Sequence, residues 1–182
     1  MEQATLNARP GALFGIALAT IGAGGLMGAA TNAINGAVSP IYFVNILRWQ
    51  YVENVWRAAV AQGIFEGLIY GAIFAIIFTL VVGSVSKARA TFGFALKHLA
   101  TAGVVALLSW CAGGLLAMGL ATLSPDFYRS TFIGVPNEFV AMLKYAWVGG
   151  SIWGVLFGAV LSVVIASVMA AADWRRRNGP DT

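Results

Sequence analysis

Four blocks of mostly apolar residues, each long enough to cross a lipid bilayer as a helix, constrain this chain more than any other feature. They run over about 11–30, 58–83, 98–123 and 145–172. Roughly 20 residues at about 1.5 Å rise span the ~30 Å hydrocarbon layer. A soluble core needs amphipathic periodicity rather than uninterrupted apolar runs. Composition agrees: 59% of the residues are hydrophobic and only 10% charged, against about a quarter charged in soluble domains. The expected fold is an all-α integral membrane protein with four transmembrane helices, forming one membrane domain over 1–182. A cleaved leader is the competing reading of the first block. Its basic end is weak, with Arg9 offset by Glu2, and the block has a counterpart later in the chain, so a span is the better expectation.

The segments between the blocks are read as follows. Residues 1–10 form a short polar tail. Thr31 to Ser39 break the first helix, with Asn35-Gly36 as the turn signal. Ser39-Pro40 opens a new helix, and Ile41 to Arg57, rich in Tyr and Trp, lies in the interface and runs into the second span. Ser84 to Lys97 is a basic connection. Ser124-Pro125-Asp126 and Pro136-Asn137-Glu138 mark further helix starts. The Asp173-Trp174 and Arg175–Arg177 end suits an anchor at a charged membrane edge.

Lysines and arginines set the expected orientation. The tail, the 84–97 connection and the C-terminus hold seven, Arg9, Lys87, Arg89, Lys97 and Arg175–Arg177; the other two connections hold four, Arg48, Arg57, Arg129 and Lys144. Both termini are therefore expected on the cytoplasmic side of a plasma or bacterial inner membrane. The net charge of +4 sits at segment ends and reads as topology, with no nucleic-acid partner expected.

The two halves of the chain look related, as repeat A over about 11–83 and repeat B over about 98–172. Ala23-Gly24-Gly25-Leu26 matches Ala112-Gly113-Gly114-Leu115. Val38-Ser39-Pro40 matches Leu123-Ser124-Pro125, and Gly63, Gly67 and Gly71 match Gly150, Gly154 and Gly158. Each unit holds two spans, so the units run parallel, related by an axis along the membrane normal. Glycine at every fourth residue makes a smooth helix face on which another backbone can pack closely. The stripes of the second and fourth spans are expected to face each other or another copy of the chain.

One acid lies inside a span. Glu66 is about eight residues beyond Ala58, roughly 12 Å along the helix, and shares a face with Gln62 and Tyr70 at four-residue spacing. An intramembrane acid costs at least about 2.5 kcal/mol on insertion scales, so it implies a purpose or a partner. No lysine or arginine in another span can pair with it, which favours its neutral form. Asn32 and Asn35 are candidate polar partners. Its place in the second half is taken by Trp153. His98 and Cys111 are the lone residues of their types, which leaves no cofactor or metal site expected and no intrachain disulfide; His98 is read as an ordinary interfacial residue.

Two functions fit these residues, and neither is enzymatic. One is a small channel or transporter subunit with Glu66 in an ion or proton path. The other is a membrane-complex subunit or scaffold that binds other helices, of its own kind or of other subunits, through the glycine stripes.

Overall fold

Proline opens three of the six helices among the described residues, because its missing N–H and fixed φ suit the first helical turn. The computed structural model describes residues 8–178. Its elements are α1 (Pro10–Val38), α2 (Pro40–Leu47), α3 (Val55–Ser86), α4 (Phe92–Leu123), α5 (Pro125–Thr131) and α6 (Phe139–Asn178). No strand occurs among the described residues. The helices α1, α3, α4 and α6 are each long and apolar enough to cross a membrane, as a multi-pass membrane protein requires. Side chains on the outside are largely apolar, Leu26, Leu116 and Leu123 among the most exposed. Side chains cap three further starts. Asn54 accepts from the Arg57 N–H at 2.9 Å and Thr91 from the Phe94 N–H at 3.2 Å. The Glu138 carboxylate accepts from the N–H groups of Val140 and Ala141, at 2.9 and 2.6 Å. These contacts satisfy donors that a helix leaves open at its N-terminus.

Several boundaries differ from expectation. The first helix does not turn at Asn35-Gly36; it runs on to Val38. The reason is tertiary: Asn32 and Asn35 are buried, and Gly36 lies against Trp56 and Ala59, where a turn would break the packing. The Trp56 indole also donates to the Ala33 carbonyl at 2.9 Å, tying the start of α3 to the end of α1. The aromatic segment after Ser39 is not continuous with the second span. Helix α2 stops at Arg48, which takes a left-handed conformation with φ 57°, and α3 starts afresh at its Asn54 cap. The basic connection shrinks to Lys87–Thr91, where Lys87 and Ala88 carry positive φ of 50° and 58°, and the Arg9 N–H donates to the Ala88 carbonyl at 2.7 Å. Residues 1–7 of the polar tail lie outside the described residues.

The spans pair as two antiparallel hairpins, α1 with α3 and α4 with α6. Glycines bring the paired backbones together. A Cβ on Gly28 would collide with the Gly63 carbonyl, and one on Gly67 with the Gly24 carbonyl. In the second hairpin, a Cβ on Gly113 would strike the Gly150 carbonyl and one on Gly154 the Ser109 carbonyl. The stripes of α3 and α6 therefore face the first helix of their own hairpin, and neither faces the other, contrary to the sequence expectation.

The contacts of the two hairpins correspond residue by residue, with offsets of 85 on the first helix and 87 on the second. Gly63 sits against Gly28 and Asn32, and Gly150 against Gly113 and Ala117. Gly71 meets Ile21, and Gly158 meets Ala106 and Ser109. Ser39 and Ser124, at the ends of α1 and α4, have nearly the same backbone angles, φ −147° and −143°, ψ 84° and 76°. The sequence match pairs Gly113 with Gly24, one helical turn from Gly28, which makes the contact equivalent to that of Gly113. By contact, Gly113 corresponds to Gly28, and Gly24 to Ser109.

Candidate functional site: a cavity between the hairpins

Glycines bring the backbones of each hairpin close together, and the two hairpins then meet through their side chains. There α3 packs on α6 and α1 touches α4. The four helices leave a cavity of about 330 Å³, walled mainly by apolar side chains such as Met27, Phe74, Leu99, Leu156 and Val163. Glu66 lines it from α3, along with Tyr70, and Asn32 lines it from α1. Helix α3 begins at Val55, so Glu66 stands roughly 17 Å from its end at 1.5 Å per residue, deeper than counting from Ala58 gave.

Glu66 is the only carboxylate, and no lysine or arginine accompanies it, on the cavity wall among the described residues. Its side chain is half-buried, and its Oε1 accepts from Gln62 Nε2 at 2.8 Å. The Gln62 Oε1 is itself buried without a partner. Other polar groups on the wall are already engaged with their own helices: the Thr20 hydroxyl donates to the Ile16 carbonyl at 2.7 Å, Thr31 to Met27 at 2.9 Å and Ser162 to Ala159 at 2.9 Å. Free polar chemistry in the cavity therefore belongs to Glu66, Tyr70 and Asn32.

The structure gathers four of the five expected residues, Glu66, Gln62, Tyr70 and Asn32, and sets Asn35 apart. Asn35 is buried at the hairpin junction, where its Oδ1 accepts from the Ser151 hydroxyl at 3.0 Å and its Nδ2 finds no partner. Two neighbours escaped the sequence reading. Ser151 is one of three serines in an apolar span, between glycine and isoleucine, a weak signal. Tyr42, on α2, was one aromatic among many. Its ring lies against Gly149 and meets the Tyr145 ring at a tilt of 56°, with centres 5.0 Å apart. Burial, and secondly the charge of Glu66, push its hydroxyl above the ordinary tyrosine range. Tyr128, buried on α5, is pushed up to about 12, chiefly by burial. Tyr42 packs in the cluster that holds Val55 and Ala59, at the start of the helix that carries Glu66.

At the opposite end of the bundle, Asp173 pairs with Lys97, and with Arg177 at 3.2 Å. His98 is buried beneath this group, its Nε2 3.4 Å from Asp173 Oδ2 but outside hydrogen-bond geometry, and packs edge-on to Phe94 at 5.1 Å. It is a core residue of the hairpin, where the sequence suggested a plain interfacial one. Among the described residues, no cluster of three metal-ligating side chains forms. No protein-family model, curated protein or solved structure matches this chain.

Proposed function

We propose that this chain is a membrane transport protein, not an enzyme, in which Glu66 carries a proton or a lipophilic cation through the cavity between the hairpins. The observation behind this reading is the setting of Glu66: a carboxyl on an apolar cavity wall, held by one amide and with no cation beside it. An acid so placed is costly for folding alone. The mainly apolar wall suits a proton or an organic cation with apolar bulk better than a bare metal ion, which needs many oxygen ligands once its water is shed. Asn32 and Tyr70 would supply hydrogen bonds to what enters.

The scaffold alternative drew on glycine stripes free to receive another helix. With both stripes taken up inside hairpins, that alternative loses its main support. We read the architecture as two parallel hairpin repeats in a single membrane domain. Both termini and the Lys87–Thr91 connection would lie on the cytoplasmic side, and α2 and α5 would lie flat at the outer interface. The matching contact offsets and the excess of basic residues at the terminal end support this reading.

The test is flux in proteoliposomes. Glu66→Gln keeps the shape and the bond to Gln62 but removes the titrating proton. It is expected to abolish proton-coupled flux while thermal stability stays close to that of the parent protein. Undiminished flux in a folded Glu66→Gln protein would overturn the proposal.

A further inference from the structure

The two hairpins meet through unlike faces. The first contributes the face bearing Met27, Glu66 and Tyr70; the second answers with the face bearing Gly103, Ile152 and Leu156. Each hairpin, if the two are repeats, owns both kinds of face, and the chain uses only one of each. The remaining pair can be located with the offsets of 85 and 87. Glu66 and Tyr70 correspond to Trp153 and Phe157, which are 60% and 69% exposed. Ile152 and Leu156 correspond to Phe65 and Ile69, 65% and 44% exposed. The first pair lines a groove between α4 and α6; the second lies on the far flank of the first hairpin. An interface between unlike faces is head-to-tail, and one such contact leaves a complementary surface open at each end.

We infer that a second copy of this chain docks its Phe65–Ile69 face into the Trp153–Phe157 groove, both copies running in the same direction through the bilayer. The inference rests on the repeat reading above. The contact would continue, between chains, the interface that already exists within one. Its details are consistent with that. The buried polar pair joining the hairpins, Asn35 and Ser151, corresponds to Leu120 and Ile64, which are both apolar and both exposed, at 38% and 42%. Apolar partners at these positions need no matching hydrogen bond between chains. Tyr42 on Gly149 corresponds to Phe127 on Gln62, and Phe127 too is exposed. Trp153 and Phe157, stacked with ring centres 6.0 Å apart, occupy the place where the first hairpin keeps its cavity. The seam between copies would therefore be filled, and the Glu66 cavity would occur once per chain.

The test uses full-length protein in native membranes with Cys111→Ser as background. Ile64→Cys and Leu120→Cys are made in separate copies, distinguished by tags of different size, and co-expressed. A short bis-maleimide is expected to give a mixed cross-linked dimer several-fold above that from either variant alone. Cross-linking by one variant with itself would show a symmetric contact and overturn the inference. Absence of any dimer, with lipid simply covering both faces, would do so too. The pair Asn35→Cys with Ser151→Cys in one chain separates the two layers of the argument. If it cross-links internally while the mixed dimer fails, the hairpin packing stands and the association is wrong. If it fails as well, the hairpin arrangement itself is wrong.

Discussion

The Ser151 hydroxyl donates to the Asn35 carboxamide oxygen at 3.0 Å across the junction of the two hairpins, with both side chains buried. Ser151 also donates to the Val148 carbonyl of its own helix at 3.0 Å, so its proton is shared between a helix and its neighbour. The bond lies where the sequence of α1 invites a turn and the helix instead continues to Val38.

Ser151→Ala is expected to weaken hairpin docking by about 0.5–1 kcal/mol, the usual range for an interhelical side-chain hydrogen bond in a membrane. Asn35→Leu should cost more, because a larger apolar group must fit where a carboxamide is fully enclosed. Thermal unfolding in detergent or lipid nanodiscs measures both. Equal stability of all three proteins would remove the bond from its structural role.

The glycines divide into two kinds that sequence alone does not separate. A Cβ at Gly63 would strike the Gly28 carbonyl and come within 2.7 Å of the Asn32 Cβ, whereas a Cβ at Gly22 meets nothing within 4 Å. Gly63→Ala should destabilise by about 1–3 kcal/mol through forced separation of backbones. Gly22→Ala should be neutral or slightly stabilising, since alanine is the better helix former. A matched pair of melting curves decides it; similar losses at both sites would contradict the close approach of α1 and α3.

Glu138 caps α6, and the two backbone N–H bonds, from Val140 first and then Ala141, hold its carboxyl below the ordinary carboxylate range. The sign follows. A folded pKa below the unfolded one means that the cap contributes above the ordinary range and is lost as pH falls through the lowered value. Amide exchange at Val140 and Ala141 should therefore quicken, relative to its intrinsic rate, on acidification. Glu138→Ala should show the quicker exchange already at neutral pH and no further pH step.

Asp173 stands among Lys97, Arg177 and His98. Asp173→Asn removes the one negative charge among them and leaves the cations to repel each other. The melting temperature should fall, and the fall should be larger at low salt than at high salt, where exposed charges are screened. A loss independent of salt would point to packing of Trp174 and Phe94, ring centres 5.3 Å apart, as the real contribution of this region.

Span number, helical class and the isolation of Glu66 were all legible in the residues. They depend on one-dimensional quantities: the length of apolar runs against the thickness of hydrocarbon, and the absence of another charge between Arg57 and Lys87. The helix starts at Pro40, Pro125 and Phe139 were legible for a similar reason, since capping is settled within one turn.

What a side chain faces across a helix–helix boundary was not legible. Asn35-Gly36 reads as a turn only when nothing is packed against it; with Trp56 and Ala59 on Gly36 and Ser151 on Asn35, the helix is the lower state and continues. Glycine-rich segments match themselves at every fourth residue, so sequence aligns Gly113 with Gly24 as readily as with Gly28, and the contact partner of each glycine has to come from the packing. Likewise, a stripe of small residues declares that something packs closely against it, but not what. The carbonyls of Gly24 and Gly28 supply that answer for α3, and those of Ser109 and Gly113 for α6. Only the tertiary structure could decide these points, because each depends on which of several sterically equivalent neighbours lies within contact distance, and that is a property of the whole bundle.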